Sequence, residues 1–353
     1  MTASLNTCPH FGSCGGCSLQ DLPPADYAAA KRASVQNALM KAGVTAEVLA
    51  PIVVPPRSRR RAVFKIKSLP QGLHIGFHAA KSHTVIDMHH CDVLTPGLFA
   101  LVGALRQKLE PLFGVGEVAE LHVTETDTGF DCALRWRAQV TPTLRAALSS
   151  ALSGLGIARL TMGREMVFET AQPAVRLGGV KVVLPSNPFL QSTAEGEAAL
   201  QARVVETVGK AKTVADLFAG VGTFALPLAR KAKVHAVEQD QPALAALADA
   251  SKASGLKPIT TEVRDLFKLP LTPMELTYDA VVLDPPRAGA EAQAKALARS
   301  KVPAIAYVSC DAASFARDAA LLVGGGYRIG PVAPVDQFLW SSHIELVAGF
   351  SRV

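Results

Sequence analysis

From residue 213 onward the chain alternates short apolar runs with helical segments, and this alternation limits the fold more than any other feature. The segments "TVADLF", "KVHAVEQ", "YDAVVLD" and "PAIAYVSC" have strand character. Between and after them "TFALPLARK", "QPALAALADASKASG", "AEAQAKALARS" and "DAASFARDAALLVGGG" read as helices. Strand and helix in strict alternation predict an α/β fold, a doubly wound parallel sheet. The closing "RIGPVAPVDQF" and "HIELVAGFSR" suit an antiparallel pair at the edge of that sheet. The first half has a different texture. "PPADYAAAKRASVQNALMKAG" has helical spacing and a Gly stop. Short strands separated by turns follow between 59 and 90, then a helix near 95–112 and more strands near 118–138, so an α+β region is expected there.

With 353 residues the chain exceeds one compact core and suggests about two domains. The expected division is 1–92, 93–190 and 191–353, the last being the parallel sheet. No leader and no long apolar run stands in the sequence, so a cytoplasmic location without membrane contact is expected. Six cysteines at 8, 14, 17, 91, 132 and 310 are too sparse for a disulfide scaffold. Clustered cysteines in a reducing compartment are more often metal ligands or catalysts. The net charge of +6 permits an anionic partner such as nucleic acid. "PPRSRRRAVFKIK" predicts a strand with one buried and one cationic face, from Arg57 to Lys67.

Chemistry-bearing residues fall at the carboxyl ends of the predicted parallel strands. In "DLFAGVGTF" Asp216 ends a strand, and Gly220 and Gly222 form a tight turn that lets backbone N–H groups approach a ligand. The next strand ends in Glu238, placed to accept ribose hydroxyls, and Asp265 follows the one after. One acid per strand end fits S-adenosylmethionine better than a dinucleotide, which would want G-x-G-x-x-G. Asp284-Pro285-Pro286 forms a rigid turn. Cys310 closes an apolar strand where a helix begins, a position that lowers a thiol pKa. His343 and Glu345 alternate on one predicted strand, which puts both on one face beside the thiol. A nucleophile, a base and a methyl donor suggest thiolate addition at C6 of uracil, attack of C5 on the methyl group, and removal of the C5 proton. Cys310 and Glu345 suit the nucleophile and the base.

These residues resemble the RNA uracil-C5 methyltransferases, bacterial enzymes acting on 23S ribosomal RNA and tRNA, over nearly the whole chain. The resemblance implies a class I methyltransferase fold and S-adenosylmethionine contacts from Gln191 in "NPFLQST", and from Phe218 and the glycine turn in "DLFAGVGTF". It carries further donor contacts onto Glu238, Asp265 and Asp284, the nucleophile onto Cys310 and the base onto Glu345. Ala219 and Thr223 stand where the family usually has Cys and Asn, and Leu339 where it has Pro; Thr223 keeps a hydroxyl that donates and accepts. Cys8, Cys14, Cys17 and the distant Cys91 resemble the four ligands of a [4Fe–4S] cluster in the ribosomal branch. Tetrahedral zinc on the same thiolates stays open. Cys132 is expected to be a buried structural residue.

The expectation is therefore methylation of a 23S rRNA uridine, by a monomer of the type that lacks an N-terminal RNA-binding barrel. The tRNA branch typically lacks the cysteine knot. A cytosine-C5 methylase would carry Pro-Cys in the "DPP" turn, an amino-group methylase would need neither Cys310 nor Glu345, and radical chemistry uses a C-x3-C-x2-C loop. A silent iron–sulfur RNA-binding protein is the alternative from a different class.

Overall fold

The computed structural model describes residues 8–352, and no helix among them is long and apolar enough to cross a membrane. The expected parallel sheet forms from Thr213–Leu217, Lys233–Glu238, Ile259–Val263, Ala280–Leu283 and Ala304–Ser309. Its strands are apolar on both faces because helices cover both. Val214, Val282 and Ala306 face one core, while their neighbours Ala215, Val281 and Ile305 face the other.

Two sequence expectations need correction here. The antiparallel pair Tyr327–Asp336 and Glu345–Arg352 exists, but it does not end the sheet. Glu345–Arg352 lies between its partner and Ala304–Ser309, and the outermost strand is Ile52–Val53, which runs parallel to Tyr327–Asp336. Two residues are too few to show a period in sequence. The segment "TFALPLARK" is helical only at Ala225–Leu228. The glycine turn takes up the residues before it, and Pro227 lacks the N–H that a longer helix would need.

The first half forms a seven-stranded sheet, 61–69, 72–78, 85–87, 118–126, 129–136, 157–162 and 165–169. All neighbours are antiparallel except 129–136 with 157–162. This sheet is continuous across the division expected at 92/93. Helices Pro96–Leu109 and Pro142–Leu152 cover one face, burying Leu98, Leu105 and Leu148 with Phe64, Ile66 and Cys132. In the strand Arg61–Leu69, Ala62, Phe64, Ile66 and Ser68 are buried and Lys65 and Lys67 lie on the other face, as the alternation predicts.

The helix Pro24–Lys41 packs on the parallel sheet by a buried stripe of Tyr27, Lys31, Val35 and Leu39. Lys31 is 2% exposed and Asp336 is not exposed at all. The Lys31 ammonium donates to Asp336 Oδ1 at 2.7 Å and to the His343 carbonyl, and the Tyr27 hydroxyl donates to Asp336 Oδ2. Removing one partner of a buried ion pair strands the other in a low dielectric. Lys31→Met is expected to lower unfolding stability in urea by about 3 kcal/mol or more, and adding Asp336→Asn to recover part of it. A single variant as stable as wild type would show that the pair contributes nothing.

Candidate active site

The first parallel strand runs into the glycine turn, whose backbone sets the donor-side geometry. Phe218 takes φ 64° and its N–H, with that of Ala219, donates to the Val237 carbonyl. Gly222 has φ 97°, and a Cβ there would lie 2.4 Å from Leu247 Cδ1, so only glycine fits. Gly220 has φ 53° and open space where a Cβ would stand. Its N–H donates to Glu238 Oε2 at 3.1 Å, while Glu238 Oε1 accepts from the N–H groups of Gln239 and Asp240. Asp265 Oδ1 accepts from the Phe267 N–H, and the Phe267 ring lies 5.5 Å from that of Phe218. Thr223 is buried, and its carbonyl accepts from Gln201. Beneath the turn Asp216 is fully buried and neither carboxyl oxygen has a hydrogen-bond partner. Burial, then the nearby Asp284 charge, pushes its pKa well above the usual carboxylate range.

A cavity of about 550 Å³ opens between the two sheets. Cys310, Glu345, Gln191, Arg287 and His343 line it from the methyltransferase-like side, and Arg59, Arg61, Val63 and His122 from the other. Phe218, Gly220, Thr223, Glu238 and Asp265 do not line it; Asp284 reaches it through Gln191, whose Nε2 donates to Asp284 Oδ2 at 3.2 Å. Glu345 is 2% exposed, and its Oε2 accepts from Gln337 Nε2 at 3.0 Å. Burial, then the Asp284 charge, raises the Glu345 pKa well above its ordinary value, and burial raises Asp284 to about 7.

Two expectations fail in this cavity. His343 does not share a strand face with Glu345: it precedes the strand, is exposed, and pairs through Nδ1 with Arg287 Nη2 at 2.8 Å. The Cys310 thiol is not lowered by the following helix but pushed up to about 12, first by burial, then by the Glu345 and Asp284 carboxylates, with Arg287 opposing. A helix end is worth at most about 1 kcal/mol at an ordinary site, less than burial beside two carboxyls.

Cys8, Cys14, Cys17 and Cys91 line the same cavity. The 8–17 segment docks on the small sheet through Gly15 N–H to His78 O, and on the other sheet through Ser18 and Leu19 N–H to Trp340 O. The Gly16 N–H points at Cys14 Sγ at 3.4 Å. Burial, followed by the charges of the other three cysteines, raises Cys17 to about 12, with Arg59 opposing. Among the described residues no three His, Cys, Asp or Glu side chains stand close enough to hold one metal ion. Cys132 is 1% exposed in the small core, as expected.

The family model for tRNA (Uracil-5-)-methyltransferase matches residues 158–352. The chain belongs to the RNA uracil-C5 methyltransferases. An RNA methyltransferase of Rhizobium meliloti, uncharacterized by its name, is 45% identical over 353 residues, covering 98% of this chain and 85% of the relative. The 23S rRNA (uracil(1939)-C(5))-methyltransferase RlmD of Halomonas elongata is 34% identical over 367 residues, covering 96% of this chain and 74% of RlmD. A solved structure of Pyrococcus abyssi tRNA (uracil-54, C5)-methyltransferase in complex with S-adenosyl-L-homocysteine shares the fold, with TM-score 0.75 and 23% identity over 95% of this chain and 85% of that one.

Several residues that shape this methyltransferase's site escape a reading of the sequence. The arginine run is not simply a solvated basic strand. Arg60 pairs with Glu197 at 2.7 Å and donates to the Gln191 carbonyl, and Arg61 donates to the Leu190 carbonyl, so both hold the "NPFLQ" segment. Gln337, inside "DQFLWSSHIE", carries no spacing signal at all. Lys31 does carry one, since it occupies an apolar-stripe position between Tyr27 and Val35. Because the Cys310 thiol is pushed up to about 12, iodoacetamide at pH 8 should alkylate it at least about 100-fold more slowly than an ordinary exposed thiol, read by peptide mass spectrometry. Rapid labelling at Cys310 would contradict the geometry.

Proposed function

We propose that this RNA methyltransferase transfers a methyl group from S-adenosylmethionine to C5 of a uridine in 23S rRNA. The observation that carries the reading is a thiol, a buried carboxyl and Gln191 on one cavity, with Asp284 one hydrogen bond behind. The Cys310 thiolate adds to uracil C6, and the electron pair displaced to C5 attacks the sulfonium methyl, with S-adenosylhomocysteine as leaving group. The Glu345 carboxylate then takes the C5 proton, the C–H pair restores the C5–C6 double bond, and the thiolate leaves.

The donor side fits a cationic, adenosine-bearing molecule. Asp284 suits its positive group, Glu238 its ribose hydroxyls, and Phe218, Gly220, Thr223 and Asp265 complete the contacts with Gln191. A cation brought near Asp284 and Glu345 favours the Cys310 thiolate, in the same direction as Arg287. Lys67, on the face opposite the core, suits RNA phosphates, while Lys65 beside it pairs with Glu120.

Cys8, Cys14, Cys17 and Cys91 are the proposed ligands of a [4Fe–4S] cluster. The donor chemistry fits: peptide N–H groups of Gly16, Val93 and Leu94 face the sulfurs and Arg59 stands beside Cys17 and Cys91, as an anionic centre would want. Tetrahedral zinc on the same four thiolates is the alternative that metal analysis separates. Bound there, the cluster would act as a crosslink between the 8–17 segment and residue 91. The resemblance of these four cysteines and the 34% identity to RlmD favour ribosomal over transfer RNA.

Mapping 5-methyluridine in both RNAs, in cells with and without the gene, tests the substrate: loss from 23S rRNA is expected, and loss from tRNA alone would overturn it. In vitro, Cys310→Ala should cut methyl transfer by at least about 1,000-fold, whereas Glu345→Gln should leave a covalent protein–RNA adduct on a denaturing gel. Anaerobic reconstitution should give about four irons per chain and visible absorbance, lost in Cys17→Ser. Colourless protein with stoichiometric zinc would refute the cluster.

A further inference from the structure

Gln337 is 1% exposed and stands behind the cavity rather than on it. Its Nε2 donates to Gln191 Oε1 at 2.5 Å and to Glu345 Oε2 at 3.0 Å, while its Oε1 accepts from the Ser192 N–H at 2.8 Å. Every polar hydrogen of the amide is used. The reversed amide would press an oxygen against two oxygens and an NH2 against a backbone N–H, so the Ser192 peptide fixes its orientation. Gln191, engaged at Oε1, then turns its own NH2 to Asp284. Two amides thus form a one-way relay from a backbone N–H to two carboxyls.

We infer that Gln337 is a positioning residue for proton abstraction: it aims the Glu345 carboxylate at the C5 proton and locks Gln191 in register with it. The inference rests on the thiolate-addition reading above. A neutral donor suits the task because it holds the carboxylate without the charge that an Arg or Lys would bring, which would weaken the base. Within the site Asp284 and the Cys310 thiol face Glu345 as titrating groups, with Arg287 and His343 on the cavity wall. Burial and Asp284 drive Glu345 toward its protonated form, and the Gln337 N–H opposes them.

The test separates the step before proton abstraction from the step itself. With 23S rRNA transcribed with 5-fluorouridine, C5 has no proton to lose and the Cys310 adduct is trapped. Gln337→Met should form that adduct at a rate within about twofold of wild type. On ordinary 23S rRNA its turnover should fall about 10- to 100-fold, with adduct accumulating. The acid limb of kcat should move to higher pH by about one pH unit, because the lost N–H leaves Glu345 harder to ionise. Gln337→Leu removes donor and acceptor without adding a titratable group, and should behave alike. Equal losses in adduct formation and turnover in both variants, or an unmoved acid limb, would overturn the inference. Methylation by Cys310→Ala would defeat the parent reading, a result obtained without touching Gln337.

Discussion

The buried pairing of Lys31 with Asp336 is the constraint on which the rest of the site depends. Asp336 ends one strand of the antiparallel pair and Glu345 begins the other, so the loop between them decides where the Glu345 carboxyl stands. The first helix holds that loop at both ends: Lys31 reaches Asp336 and the His343 carbonyl, and the Tyr27 hydroxyl accepts from Trp340 N–H. Trp340 itself sits at φ 59°, a conformation that needs support from its surroundings. Its carbonyl takes the N–H groups of Ser18 and Leu19, which immediately follow Cys17. The cysteine segment and the base loop are therefore one packed unit, and the same segment is bound to the small sheet at His78 and Ala79. Whatever fixes the four cysteines also fixes the wall of the cavity opposite Cys310.

Charge explains the second layer of the design. Asp216 and Glu345 are buried, and the charge of the half-buried Asp284 raises the cost of ionising both. Such a site is poorly arranged for an unaccompanied thiolate and well arranged for one formed beside a cation. Amides, rather than basic side chains, separate the carboxyls, so the negative character is ordered without being cancelled. Arg287 is a cation directed at the thiol, and it pairs with His343 on the cavity wall.

Much of this was legible in the sequence, for identifiable reasons. Strand–helix alternation reports burial on both faces of a sheet, so the parallel strands and the positions of Asp284 and Cys310 at their ends follow from it. The strand Arg61–Leu69 obeyed its alternation because one face is core. What the sequence hid is set by distant partners. Arg60, just before a strand of the small sheet, looked like surface charge until Glu197, on the helix Ala194–Val208, was brought beside it. The strand Ile52–Val53 exists only because Tyr327–Asp336 offers a free edge. His343 and Glu345 were placed on one face by a two-residue period, but the strand starts at Glu345 and the period does not extend into the bend before it. The Cys310 pKa went the wrong way in a sequence reading because a helix start is visible in sequence and burial beside two acids is not.

The position of the cavity also restricts how RNA presents its base. Cys310 lines a space walled by two sheets and the cysteine segment. At about 550 Å³ that space is of the size that encloses a small ligand, not a double helix. A base held in a stack keeps its C6 atom between neighbours, out of line with any thiol. On the proposed thiolate-addition reading, the nucleotide that reacts leaves its stack to bring C6 to Cys310. On the uridine-methylation reading proposed above, selection asks for a strand loose enough to release the base.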